Sequence, residues 1–253
     1  MMNPARSAVV TGGGKGLGAA IARKLAAGGA KVAVLGRDRD ALERIAAETG
    51  GLALACDVTD GAALAVALAR VREVQGPISI CVHNAGIAES APLAKTTDEA
   101  WERTLSVNVT AAFRLAKLVV PDMVKAGWGR IVHVASNAGL TGYAYTSAYC
   151  ASKHAVVGLT RALAVELATT GVTVNAVCPG FCDTEMTERA VQTIARKTGR
   201  SEADAKKALA DLSPTGRLVT PDEVAHAVLM LTSELASSIN GQAIPIDGGQ
   251  VTK

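Results

Sequence analysis

The 253-residue chain is poor in aromatic side chains, which make up 3% of it, and poor in charge, with Asp, Glu, Lys and Arg together at 19%. It has no Lys/Arg run and no interleaving of basic with aromatic residues, and its formal net charge is only +3. Those shortages exclude the basic stripe and stacking platform that nucleic-acid binding needs. No uninterrupted apolar stretch is long enough to cross a bilayer, and the opening residues, MMNPARS, lack the apolar core of a secretion signal. A cytoplasmic protein with no nucleic-acid or membrane partner is therefore expected. Cysteine is scarce too: Cys56, Cys81, Cys150, Cys178 and Cys182 form an odd set with no Cys-x-x-Cys spacing. That argues against a disulfide framework or a zinc site and for reduced thiols, and no metal is expected. Linkers, repeats and low-complexity tracts are missing as well.

What the chain has in quantity is apolar residues, at 49%, enough for one sizeable core spanning residues 1–253. Continuously apolar segments at 7–10, 31–35, 52–56, 78–82, 131–135, 172–178 and 243–246 read as strands. Helical patterns lie between them, including 41–48, 61–74, most of 97–125, and 147–168. Thr220-Pro221-Asp222-Glu223 is a capping box that opens a helix running to Leu231. Strands that are apolar on both sides must be covered on both sides. The prediction is an α/β fold: a single-domain, Rossmann-type doubly wound parallel sheet with helices on both faces. Its ligand belongs at the carboxyl ends of the strands. The more polar region 183–212, two helical stretches broken at Gly199, reads as a substrate lid.

The first strand runs into Thr11-Gly12-Gly13-Gly14-Lys15-Gly16-Leu17-Gly18 and then an Ala-rich helix. Strand, glycine loop and helix is the context a dinucleotide pyrophosphate needs, because backbone N–H groups and the helix N-terminus face it at close range. The second strand ends in Gly36, with Arg37 next and Lys15 in the loop nearby. An acidic residue there would hold the 2′-hydroxyl of NAD, whereas a cation suits the 2′-phosphate of NADP, so NADP(H) is favoured over NAD(H). Asp38 reads as a helix N-cap. Asp57-Val58 follows the third strand, where a carboxylate either accepts from an adenine amino group or caps the next helix. After the fourth strand comes His83-Asn84-Ala85-Gly86, whose small residues let a cofactor ribose pass close to the backbone. Asn108 lies in a helix interior, where its propensity is poor, so it is either solvated or specifically partnered.

The stretch from Ser136 to Lys153 carries the chemistry. Tyr149 and Lys153 are four apart and share a helix face, and Ser136 follows an apolar strand. A free phenol titrates near pH 10, and an adjacent ammonium is expected to lower that, making Tyr149 a proton donor or acceptor near neutral pH. Of the three tyrosines, Tyr143, Tyr145 and Tyr149, only the last has a Lys four residues on.

Taken together, residues 11–184 resemble the short-chain dehydrogenase/reductase family in its compact branch. The matching motifs are the glycine loop, Asp57, Asn84-Ala85-Gly86, Asn108, Ser136, Tyr149-Cys150-Ala151-Ser152-Lys153, and Pro179-Gly180 with Thr184; Asp247-Gly248-Gly249 fits as well. His83 departs from the family pattern, which often carries a second Asn there, with little consequence expected. The resemblance implies that Tyr149 protonates a carbonyl oxygen and that Ser136 holds that oxygen. It implies that Lys153 lowers the phenol pKa and bonds the nicotinamide ribose, and that Asn108 completes a water-linked path to Lys153. Thr184 and the backbone near Cys182 would meet the carboxamide. The segment Val177-Cys178-Pro179-Gly180-Phe181 and the lid are similar to those of 3-oxoacyl thioester reductases and polyketide ketoreductases. This implies an acyl carrier protein or coenzyme A ester as substrate, with small cyclic, aromatic or xenobiotic ketones the rival within the enzyme class. A non-enzymatic NADP sensor or scaffold is the rival outside it. Arg189, Arg196, Lys197 and Arg200 either meet a carrier's phosphate or form a solvated helix face; the second is the plainer reading. His154 and His226 read as ordinary helix residues. The family's habit implies a homotetramer paired through long helices.

Overall fold

The structure, a computed structural model, describes residues 5–252. Seven parallel strands form one sheet in the order β3-β2-β1-β4-β5-β6-β7. They are β1 (Ser7–Thr11), β2 (Lys31–Gly36), β3 (Leu52–Ala55), β4 (Ile78–His83), β5 (Gly129–Val134), β6 (Val172–Pro179) and β7 (Ala243–Ile246). The order reverses between β1 and β4, so the connections leaving those two strands diverge and open a crevice at the carboxyl edge.

Alternate residues of each strand feed opposite layers, as the pleat requires. Ala8, Val10, Val32, Val34, Val82 and Val134 face one side. There they pack on α1 (Gly16–Ala27), α2 (Arg39–Thr49) and α9 (Pro221–Leu231) through Ile21, Leu25, Leu42, Ile45 and Val228. Val9, Leu35, Cys81, Ile131 and Val174 face the other. They meet α3 (Gly61–Gln75), α5 (Ala111–Ala126) and α6 (Ser147–Glu166) through Leu64, Leu68, Leu115, Val119 and Ala164. Each fully buried Val, Leu or Ile stabilises by about 1.5–3 kcal/mol, so these two layers supply most of the driving force. The seven strands predicted from apolar runs are all present, with ends differing by one or two residues.

Helix starts follow their caps. Asp38 accepts from the Ala41 N–H at α2, and Asp60 accepts from Ala62 and Ala63 at α3. At α9 the capping box forms: Thr220 Oγ1 accepts from the Glu223 N–H, and Glu223 Oε2 accepts from the Thr220 N–H. The long helix expected over 97–125 is instead two, α4 (Asp98–Leu105) and α5, joined by a π-helical turn at Ser106–Thr110. The polar region contains α7 (Glu185–Thr198) and α8 (Glu202–Ala210), broken at Gly199 as expected. Their apolar sides share a small cluster with Leu218: Val191, Ala205 and Leu209. Its base is pinned where Val219 N donates to Phe181 O and Asp183 N donates to Val219 O. No helix of the described residues is long and apolar enough to cross a membrane. All five cysteines are free, and no cluster of metal-ligating side chains occurs among the described residues.

Candidate active site

The carboxyl edge brings the candidate residues together. The glycine loop follows β1, and Arg37 and Asp38 follow β2. Asp57 follows β3, Asn84 follows β4, and Ser136 lies just past β5. At the end of β6 come Pro179, its last residue, and then Gly180.

The loop after β1 is built for close approach. Gly12 has φ +63° and donates its N–H to Leu35 O at 2.7 Å. A Cβ on Gly18 would lie 2.1 Å from Gly12 O, so only glycine lets α1 start against the loop. Lys15, at the N-cap of α1, gives the helix no side-chain cap, and the first N–H groups stay available for an anion. Gly14, Gly16 and Leu17 complete the turn, and Thr184, at the start of α7, sits over Gly16. Asn84 locks the loop from the neighbouring strand: its Nδ2 donates to Thr11 O and Gly12 O, and Thr11 Oγ1 accepts from the N–H groups of Asn84 and Ala85. The cradle left by these small residues fits a dinucleotide pyrophosphate.

Two rim residues differ from the sequence expectation. Lys15 Nζ lies 2.7 Å from Asp38 Oδ2, so a carboxylate does stand at the tip of β2, already holding one of the two cations. Hydrogen bonding to Lys15 holds the Asp38 carboxyl below its ordinary value and raises the ammonium. Arg37 is exposed and has no ion pair among the described residues. Asp57 Oδ1 accepts from the N–H and Oγ1 of Thr59, which lowers its carboxyl, so it caps its own turn, and Val58 is buried beneath.

Ser136 stands two residues past the end of β5. It caps a short 3-10 turn, accepting from the Ala138 N–H at 3.1 Å. Its hydroxyl contacts Asn137 Oδ1 at 3.4 Å and Pro179 O at 3.5 Å, and it lies near enough to the Tyr149 phenol to lower that group's pKa. Lys153 is buried, its Nζ donating to Val134 O at 2.9 Å and standing 5.6 Å from the Tyr149 ring centre. The trio predicted from spacing is thus assembled.

The expected acidification of the phenol is not met. Burial pushes Tyr149 up to about 12, and the nearby Ser136 hydroxyl only partly offsets this. The same burial pulls Lys153 down to about 8. Desolvation outweighs the pairing: Lys153 is buried with one backbone acceptor, and Tyr149, half-buried, has no cation among the described residues within hydrogen-bonding distance of its hydroxyl.

Asn108 has specific partners. Its Oδ1 accepts from Ile87 N, and its Nδ2 donates to Ile87 O and to Ser152 Oγ, each at 2.9 Å. Held on the π-turn, it clamps the chain just beyond Ala85-Gly86, and a Cβ on Gly86 would meet both Asn108 Oδ1 and Lys153 Nζ. Gly180 must also be small: a Cβ there would press on Asp247. Cys182 is buried beside it.

Sequence reasoning expected little of His83 and passed over Asn137. The His83 ring is buried with both nitrogens unpaired, edge-on to His133 at 6.0 Å, and burial drives it well below the ordinary imidazole value. Asn137 donates to Gln250 Oε1 at 3.0 Å, tying the turn beside Ser136 to the C-terminal tail.

With that geometry established, comparison with known proteins is informative. A family model described as enoyl-(acyl carrier protein) reductase matches residues 12–250. The chain is 38% identical to D-beta-hydroxybutyrate dehydrogenase of Cupriavidus necator, over 98% of each chain. It is 39% identical to the 3-oxoacyl-(acyl carrier protein) reductase MabA of Mycobacterium tuberculosis, over 96% of this chain and 92% of that one. Among solved structures, a variant of actinorhodin polyketide ketoreductase with NADPH superposes with TM-score 0.95 at 36% identity, over 99% of both chains.

Proposed function

The chain belongs to the short-chain dehydrogenase/reductase family, and from that premise we propose that it reduces a ketone to a secondary alcohol with NADPH, its substrate a 3-oxoacyl thioester of acyl carrier protein or coenzyme A. The single observation that carries the catalytic reading is the convergence of the Ser136 hydroxyl and the Tyr149 phenol beside the buried Lys153 ammonium, which stands 5.6 Å from the phenol ring centre.

When bound, the reduced nicotinamide supplies a hydride to the carbonyl carbon. Tyr149 donates its proton to the carbonyl oxygen. A phenol at about 12 keeps that proton at neutral pH and releases it only to the much stronger base that forms as the carbonyl becomes an alkoxide. Ser136 donates a hydrogen bond to the same oxygen and fixes its position. Lys153 places positive charge next to the phenolate left behind, and its further N–H groups suit the ribose hydroxyls. Asn108, clamped to Ile87 and Ser152, holds the wall between Gly86 and Lys153 and lies on the route by which a proton returns to Lys153. Ala85, Gly86, Pro179, Gly180, Cys182 and Thr184 line the nicotinamide half, and the loop from Gly12 to Gly18, with Arg37, Asp57 and Val58, lines the adenosine half. The region 183–212 acts as the lid.

The thioester assignment rests on likeness to the 3-oxoacyl reductase and the polyketide ketoreductase. Exposed apolar side chains on α5 and α6, Phe113 and Val165 among them, support pairing into a homotetramer in the cytoplasm. The test is consumption of NADPH with acetoacetyl thioesters, simple ketones and a crotonyl thioester, with the assembly state read by light scattering. Turnover of the acetoacetyl thioester above the rest is expected. Reduction of the crotonyl double bond with no ketone turnover overturns the reading.

A further inference from the structure

Next to Ser136, three neutral hydrogen-bond donors converge from separate parts of the chain. Asn137 comes from the turn after β5, Tyr143 from the loop before α6, and Gln250 from the tail after β7. The Tyr143 hydroxyl is buried and has no hydrogen-bond partner, although it faces the amides of Asn137 and Gln250. Gln250 spends only its oxygen, accepting from Asn137 Nδ2, so its own amide N–H groups are free, and Asn137 Nδ2 keeps a second N–H. A buried donor left unpaired is costly, and a folded chain rarely leaves one without a use.

The set is held firmly. The Asp247 carboxylate accepts from the Gly249 and Val251 N–H groups, fixing the tail that carries Gln250. The Tyr143 ring stands edge-on to Phe181, with centres 6.2 Å apart. Asn137 Oδ1 in turn touches the Ser136 hydroxyl. Asp247 is also the charged residue that acts on Tyr143, where together with burial it pushes the phenol up to about 12; no cation acts on it. A carboxylate placed here would be desolvated beside another carboxylate with no counter-charge, whereas a neutral carbonyl oxygen would meet donors that lack acceptors.

Taking the ketone reading as its premise, the geometry points to Asn137, Tyr143 and Gln250 as the receiving site for a second, uncharged acceptor oxygen of the substrate. That oxygen is the ester or thioester carbonyl flanking the ketone, and the site filters out free 3-oxo acids. Ser136 and Tyr149 would hold the ketone oxygen while the three donors hold its neighbour. The substrate class is therefore a neutral 1,3-dicarbonyl compound.

The experiment measures kcat/KM with NADPH for the acetoacetyl thioester of N-acetylcysteamine, for free acetoacetate, and for a simple ketone with no second oxygen. The wild-type chain is expected to prefer the thioester over acetoacetate by about tenfold or more, since a carboxylate would be buried beside Asp247 with no cation. Tyr143→Phe keeps the ring against Phe181 and is expected to cut the thioester-to-simple-ketone ratio by about tenfold, mainly through KM. Gln250→Lys supplies the missing cation and is expected to raise acetoacetate relative to the thioester by about tenfold. Simple-ketone turnover with no thioester preference, or an unchanged ratio in Tyr143→Phe, overturns this inference alone. If no ketone is reduced at all, the reductase reading falls and takes this one with it.

Discussion

The two edges of the sheet handle buried polarity in opposite ways. At the amino edge, Arg130 is the largest fully buried side chain, and it is well partnered. Its guanidinium donates to the carbonyls of Gly129, Gly171 and Ser233 and lies 4.4 Å from the Trp128 ring centre. Arg6 lies 3.8 Å from the same ring, and Glu234 accepts from both Arg6 and the Trp128 indole. At the carboxyl edge, Lys153 is equally buried but has a single backbone acceptor, the His83 ring is unpaired, and the Tyr143 hydroxyl has no partner. One edge has most of its donors satisfied from within, Arg6 Nε and Thr173 Oγ1 excepted, and holds the fold. The other keeps donors in reserve, which is the condition for binding something else. The same residue types therefore do different work according to how completely the chain itself satisfies them.

The largest test of that division is Tyr149→Phe. The phenol is assigned to proton delivery and contributes little to packing that a phenyl ring would not, so kcat should fall by about 10³-fold. The melting temperature should stay about the same, because the ring and its packing are kept. Turnover within about threefold of wild type under matched conditions would refute the assignment.

Arg130→Met attacks the other edge. It removes a donor from three carbonyls and a cation from the Trp128 face, and should cost about 3 kcal/mol in urea denaturation. Turnover per folded molecule should be unaffected, since this side chain lies at the opposite end of the strands from Tyr149. A kcat loss without a stability loss would erase the contrast between the edges.

Lys153→Met should behave in the reverse way. Burial holds this ammonium at about 8 against an ordinary 10.5, which corresponds to about 3 kcal/mol of disfavoured charge at neutral pH. Removing the charge while losing the bond to Val134 O should make the variant about 1–2 kcal/mol more stable at pH 7, and nearly inactive. The sign of the pH dependence follows from the depressed value. Between about 8 and 10.5 the unfolded chain binds more protons on this lysine than the folded one, so wild-type stability gains with rising pH and the advantage of the Met variant shrinks. A gap that widens with pH would show that Lys153 is not held at a strained charge.

Much of this was legible beforehand, and the failures have physical reasons. Unbroken apolar runs such as Val172–Cys178 could only be buried strands, and Thr220-Pro221-Asp222-Glu223 announced its helix, because both signals are local. The π-turn at Ser106–Thr110 was hidden since an inserted residue barely disturbs helical periodicity over so short a span. The Lys153–Tyr149 spacing revealed proximity but not burial, and burial decides both pKa values. Asn137 stood inside the motif stretch without notice because its meaning depends on Gln250, 113 residues away.

The smallest effect concerns cofactor choice at the exposed rim. Sequence placed two cations at the tip of β2, but Lys15 is engaged by Asp38 at 2.7 Å, leaving Arg37 as the cation free to meet a 2′-phosphate. Arg37→Asp should therefore weaken NADPH about tenfold more than NADH in direct binding, and the difference should fade as salt is raised, since the contact is solvent-exposed. Lys15→Ala should shift the ratio less, because the ammonium must first leave Asp38. Equal losses for the two cofactors in Arg37→Asp would remove the phosphate from Arg37, and a larger shift from Lys15→Ala would mean that the Lys15–Asp38 pair opens on binding and that the lysine, rather than the arginine, reads the phosphate.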